Sequence, residues 1–125
     1  NFKSEALKQR VNNTMEITDR AKNAVQFRSS FTLSENILTN AGKKYVYMQI
    51  TGPNGETLQA SSSFVTETEN GSMAYSQRKE IDYQNQAIDL TIYYELKGET
   101  AAKGLYRVRI YCDGQLIGSD SFSLK

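Results

Sequence analysis

An all-β fold of the immunoglobulin-like sandwich type, with seven to eight antiparallel strands, is what this sequence predicts. Three observations carry that reading. Apolar and polar residues alternate along several runs, which is the period of a half-buried strand. Turn signals recur at intervals of roughly ten residues, the rhythm of a sandwich. Gly104-Leu105-Tyr106-Arg107-Val108 then leads into the penultimate strand as a tyrosine corner does, with the Tyr106 hydroxyl expected to bond upstream backbone.

Residues 1–24 read differently from the rest. Phe2 to Val11 is rich in helix formers. Leu7 and Val11 sit four apart on one helical face, and Glu5 with Lys8 makes a helix-compatible pair. The apolar stripe fades at Asn12-Asn13-Thr14. This segment is expected to be a leader: the end of a helix or coiled coil, or a disordered stretch.

From Val25 the period becomes two, and residues 25–125 are expected to form the sandwich. Val25, Phe27, Ser29, Phe31 and Leu33 face one way. The segment Ser34–Lys44 is a connection. Val46, Met48 and Ile50 line one side of the next strand, and Tyr45, Tyr47 and Gln49 line the other. Gly52-Pro53-Asn54-Gly55 is a turn, because Pro53 presets its own backbone angle and Asn54-Gly55 accepts left-handed angles. A short strand returns around Leu58. Residues 56–85 leave their topology open: Ser61–Thr66 reads as strand or edge loop, Asn70-Gly71 as a turn, and Met73 with Tyr75 as a short strand. Ile81 and Tyr83 alternate before Ile88, Leu90, Ile92, Tyr94 and Leu96 mark a clear strand. Tyr106, Val108, Ile110 and Cys112 face inward on the penultimate strand. Asp113-Gly114 turns it into the last one, whose expected core residues are Leu116, Phe122 and Leu124.

Composition limits the chemistry. The 125 residues hold a single cysteine and no histidine, and net charge is +1. Lack of histidine removes the usual general base and the commonest metal ligand. One cysteine forms no internal disulfide, and the inward parity of Cys112 marks it as a packed thiol. Glu80 and Asp82 share one strand face about 6.6 Å apart. Two neighbours on one strand read as a charged edge that discourages pairing rather than as a catalytic couple. No glycine-rich phosphate loop, metal-ligand spacing or membrane-spanning apolar run occurs. The expectation is therefore a non-enzymatic domain without catalytic residues, cofactor or metal, binding no nucleic acid and inserting in no membrane.

One constellation remains. In the sandwich, the strand from Tyr45 and the strand from Tyr106 are neighbours. Their outward residues bring Tyr45 and Tyr47 beside Arg107, Arg109 and Tyr111. Tyrosine and arginine are enriched at the centres of interfaces, so these five form the candidate interaction face. Ordinary cross-strand pairing, with arginines over tyrosine rings, accounts for the same residues.

Several motifs also carry a resemblance: Thr18-Asp19-Arg20-Ala21-Lys22, Phe31-Thr32-Leu33-Ser34-Glu35-Asn36, Ala41-Gly42-Lys43-Lys44-Tyr45-Val46-Tyr47, Ile50-Thr51-Gly52-Pro53-Asn54-Gly55, Gly104-Leu105-Tyr106 and Asp113-Gly114-Gln115-Leu116-Ile117-Gly118. Residues from about 15 to 125 resemble the C-terminal sandwich of Bacteroidetes-type envelope proteins in which a coiled coil precedes the domain. The resemblance implies an envelope location, periplasmic or surface-exposed, and a C-terminal place in a longer chain. It brings no catalytic residues. Together these readings predict a structural or protein-interaction module, with a partner protein or self-association. The alternative is a glycan- or other ligand-binding sandwich whose exposed tyrosines stack on sugar rings.

Overall fold

The computed structural model describes residues 2–38 and 40–125. Asn1, at the start of the expected leader, and Thr39, inside the expected 34–44 connection, lie outside the described residues. The fold is an all-β antiparallel sandwich. The first sheet contains β1 (Phe2–Gln9), β2 (Met15–Thr18), β3 (Gln26–Leu33) and β9 (Ile88–Glu95), in the order β2-β1-β3-β9. The second runs from β11 (Gln115–Leu124) through β10 (Gly104–Cys112) to β4 (Gly42–Thr51). The far edge of β4 is shared by β5 (Thr57–Leu58) and β8 (Gln77–Tyr83). A separate hairpin consists of β6 (Val65–Thr68) and β7 (Gly71–Ala74).

The alternation in the sequence decides which face of each strand is inside. On β3, Phe27, Ser29, Phe31 and Leu33 are buried while Gln26, Arg28, Ser30 and Thr32 are half-exposed. Val46, Met48 and Ile50 of β4 meet Tyr106, Val108, Ile110 and Cys112 of β10 on the inner side of the second sheet, all of them buried. Leu90 and Ile92 of β9 close the layer from the first sheet. Each large side chain so buried stabilises the fold by roughly 1.5–3 kcal/mol. Phe27 carries an aromatic cluster, with Tyr106 and Phe122 packed edge-on at 5.0 and 5.2 Å between ring centroids.

Residues 1–24 correct the expectation of a helical, coiled-coil or disordered leader. Residues 2–9 form β1, paired with β3 from Phe2↔Phe31 to Leu7↔Gln26. Ala6 and Leu7 are buried, and Phe2 packs against the core. The polar residues of β1 find partners across the fold: Ser4 Oγ lies 2.8 Å from Ser29 Oγ, and Glu5 pairs with Arg28. Helix propensity spans less than about 1 kcal/mol per residue, and strand pairing with burial exceeds it. No boundary separates residue 24 from residue 25, because β1 and β2 belong to the same sheet as β3.

A second correction concerns Leu116, which the sequence places in the core. The β10–β11 register shifts between Ile110 and Tyr111, so that Tyr111 faces Leu116 and Ile110 faces Gly118. This bulge turns Leu116 outward, half-exposed, and leaves Ile117 packed on the core instead.

Ser76 explains the shared edge of β4. It is fully buried between β5 and β8. Its amide donates to Met48 O at 2.7 Å, and its hydroxyl oxygen accepts the Ile50 amide at 2.8 Å. One serine thus continues the ladder where the chain leaves β5 and re-enters at β8. Residues 59–75 between them are free to leave the sheet and fold over its outer face.

Candidate functional site

Tyr106 anchors one end of the sandwich. Its ring is buried, stacked on Phe122 with an interplanar angle of 4°. Its hydroxyl donates to Ala102 O at 2.6 Å, four residues upstream in the connection before β10. Burial pushes the phenol above its ordinary value, because the charged form would lose its hydration. Gly104 is required beside it. Its φ is +130°, and a Cβ there would lie 2.8 Å from Pro53 Cβ. The corner therefore locks the β4–β5 turn against the start of β10, and fixes the strand on which both candidate arginines sit.

The five candidate interaction residues all lie on the outer face of the second sheet. Tyr47 pairs across strands with Tyr111, Gln49 with Arg109 and Thr51 with Arg107. Tyr45 lies farther along β4, opposite Glu80 of β8. Arg107 and Arg109 are exposed, Tyr45 is exposed, and Tyr47 and Tyr111 are half-buried. They do not form one open patch. The β6–β7 excursion crosses the face and divides it.

That excursion is held at several points. Gln49 Nε2 donates to Ala74 O at 3.1 Å, and the Glu69 amide donates to Gly114 O at 2.9 Å. Tyr75 is buried against Tyr47, edge-on at 4.8 Å, and stacks on Phe64 at 4.9 Å. On one side lies a groove of ≈ 350 Å³ lined by Lys43, Tyr45, Tyr47 and Glu67. Here Arg78 covers the Tyr45 ring at 4.0 Å, and Tyr45 and Tyr47 are tilted by 48°. The tyrosines offer no coplanar platform for stacking. On the other side, Arg107, Arg109, Ser119 and Ser121 line a shallow depression of ≈ 240 Å³. Among the described residues neither arginine has an ion-pair partner, whereas Arg28 is bound to Glu5, which raises its pKa, and Arg10 lies 3.2 Å from Glu16.

Tyr75, Phe64 and Arg78 are the residues here that sequence reasoning missed. The only signal was the aromatic character of two of them, since parity along a strand says nothing about a segment that folds over a face. Cys112 is fully buried, with its thiol 3.4 Å from Tyr45 O. Burial, then the neighbouring Asp113 charge, push that thiol up to about 11. Glu80 and Asp82 are exposed on β8. Among the described residues no three metal-ligating side chains converge, and no helix is long and apolar enough to cross a membrane.

Comparison with solved structures places the architecture. The chain is similar to part of the Pseudomonas fluorescens alkylpurine DNA glycosylase AlkC, in its complex with DNA containing an abasic site analog. The TM-score is 0.50 and the identity 14%, over 99% of this chain but only 30% of that one. At this identity the likeness shows the fold alone. It nevertheless corrects the expectation that such a domain stands apart from enzymes, because the same architecture is built into an enzyme's chain. No curated protein matches the sequence. A family model, described as Domain of unknown function (DUF8428), matches residues 1–125 from end to end, and the chain belongs to that family.

Proposed function

We propose that this sandwich is a structural and protein-interaction module of a bacterial cell-envelope protein, engaging an acidic partner through Arg107 and Arg109. The single observation behind this reading is that arginine pair. Two guanidinium groups stand two residues apart on a central strand of the second sheet, exposed and without an ion-pair partner among the described residues; Asp120, which lines the same depression, accepts the Ser4 amide instead. Serines on β11 flank them. Guanidinium groups bind carboxylates through paired, directional hydrogen bonds, and a rigid strand limits the entropy lost on binding. The envelope assignment is supported by the turn and strand-end motifs that resemble envelope sandwiches.

The test combines location with contact. The tagged full-length protein, expressed in its native host, should fractionate with the envelope. A photo-cross-linking residue at Ser119 should trap one partner. Arg107→Ala/Arg109→Ala should abolish that trapping while the melting temperature holds. Trapping that survives the double change removes the arginines from the reading. Recovery in the soluble interior removes the envelope. Binding of duplex DNA by the same arginines, without a protein adduct, replaces the protein partner with a nucleic acid.

A further inference from the structure

A sheet edge is a row of unpaired backbone groups, and folded proteins blunt it with charge, cover or shortness. Most edges of the two main sheets are blunted in this way. The β8 edge presents Arg78, Lys79, Glu80 and Asp82, all exposed. Lys79 Nζ reaches across to Thr91 O on β9 at 3.1 Å and caps that edge as well. Beside β11, the Ser4 amide of β1 donates to Asp120 Oδ2 at 2.7 Å. The end of the chain is also tied down: the Lys125 amide donates to Asp19 O at 2.7 Å, and the Ala21 amide donates to Lys125 O at 2.9 Å.

β2 relies on shortness alone, at four residues. It is the outer strand of the first sheet. The Arg10 amide donates to Thr14 O at 2.8 Å at the hairpin end. In an antiparallel ladder, hydrogen-bonded and open pairs alternate from that point. Glu16 and Thr18 then bond inward to β1, and Met15 and Ile17 turn their amides and carbonyls outward. Asp19 O and Ala21 N continue the same outward row, and Lys125 already occupies them. Met15 and Ile17 have no backbone partner outside their own ladder among the described residues.

The side chains along this edge are apolar and exposed. Ile17 is 59% exposed, Met15 42%, and Val11 at the hairpin tip is fully open. On the other face β2 itself presents Glu16, and the cations around it come from Lys8 of β1 and from Arg10 just after β1. Glu16 is shared by Lys8 and Arg10, each 3.2 Å away. Two cations on one carboxylate leave a net positive charge beside the edge. A second copy of this chain would bring the same excess and be repelled.

We propose that β2 accepts an added strand: an extended segment of a partner protein in which apolar and acidic residues alternate. Its backbone bonds to Met15 and Ile17. Its apolar side chains lie beside those two residues, and on the opposite face its carboxylates share with Glu16 the two cations, Lys8 and Arg10, that surround it. Such strand addition takes affinity from main-chain bonds and specificity from alternate side chains. The site lies on the first sheet, away from Arg107 and Arg109 on the second.

The test is an NMR titration of the labelled chain with an acetylated peptide of alternating valine and glutamate, about eight residues long. Saturable shifts should centre on the amides of Lys8–Arg10 and Met15–Thr18. Affinity should fall by about tenfold or more with an alternating valine–lysine peptide, with a valine–glutamate peptide methylated at every second amide, and in Ile17→Lys. Met15→Lys serves as the second variant, and unchanged shifts elsewhere report that either one is folded. The proposal is overturned by equal binding of the methylated or lysine peptide, or by no shift at millimolar peptide. Shifts centred on Arg107 and Arg109, or peptide-free dimerisation through the same β2 amides, overturn it equally.

Discussion

Gly104→Ala probes the contact that holds the tyrosine corner against the β4–β5 turn. Two costs add. The backbone at φ +130° lies where side chains are strained, at about 1–3 kcal/mol. The new methyl would also lie 2.8 Å from Pro53 Cβ and 3.0 Å from Pro53 Cγ. Those are atoms of a rigid ring, and such overpacking costs about 1–3 kcal/mol. Together the loss is roughly 2–6 kcal/mol, set against the roughly 5–15 kcal/mol that a domain commands. Pro53→Gly removes both opposing atoms. In that background Gly104→Ala should cost only the backbone part, so the double-mutant cycle should return a coupling of about 1–3 kcal/mol. Urea unfolding of the four proteins, followed by tyrosine fluorescence since the chain has no tryptophan, gives all the terms. Additivity within about 0.5 kcal/mol would show that the Pro53 contact does not limit residue 104.

Four further outcomes follow from the same geometry. Tyr106→Phe keeps the stacked ring but loses the 2.6 Å bond to Ala102 O, and should cost about 0.5–1.5 kcal/mol in urea unfolding; an unchanged midpoint refutes the corner. Ser76→Ala removes the fully buried hydroxyl that accepts the Ile50 amide at 2.8 Å, and should cost about 1–3 kcal/mol, measurable by calorimetry. The raised thiol of Cys112, about 11 against 9.0, ionises first in the unfolded chain. Its contribution is therefore complete below pH 9 and fades between pH 9 and about 11; Cys112→Ala should flatten the pH dependence in that window, and native alkylation of the wild type should be slow. Deleting residues 1–9 removes β1 with its buried Ala6 and Leu7, so the melting temperature should fall by about 10 °C or more; a small change would restore the leader reading.

Alternation of apolar and polar residues was enough to read the inner faces of β3, β4, β9 and β10. A strand in a sandwich has one dry side, and a period of two states which residues share it. Val46, Met48 and Ile50, or Val108 and Ile110, had no other place to go. The glycines and Pro53 marked turns for an equally local reason, since only certain residues accept those backbone angles. Parity on two such strands was also enough to put Tyr45, Tyr47, Arg107, Arg109 and Tyr111 on one outer face.

What only the tertiary structure decided depends on contacts between residues far apart in the chain. Phe2 to Gln9 carries helix formers, yet it is a strand, because β3 offers it a ladder and a dry surface that no local window displays. Leu116 turned outward through a bulge between Ile110 and Tyr111, a one-residue slip that reverses every side chain beyond it. The excursion over Tyr47 depends on Ser76 bridging Met48 and Ile50, and a lone serine announces nothing in sequence. Local periodicity determined what each strand would bury. Pairing across the chain determined which residues remained to meet another molecule, because exposure is a property of the assembled surface and not of any single strand.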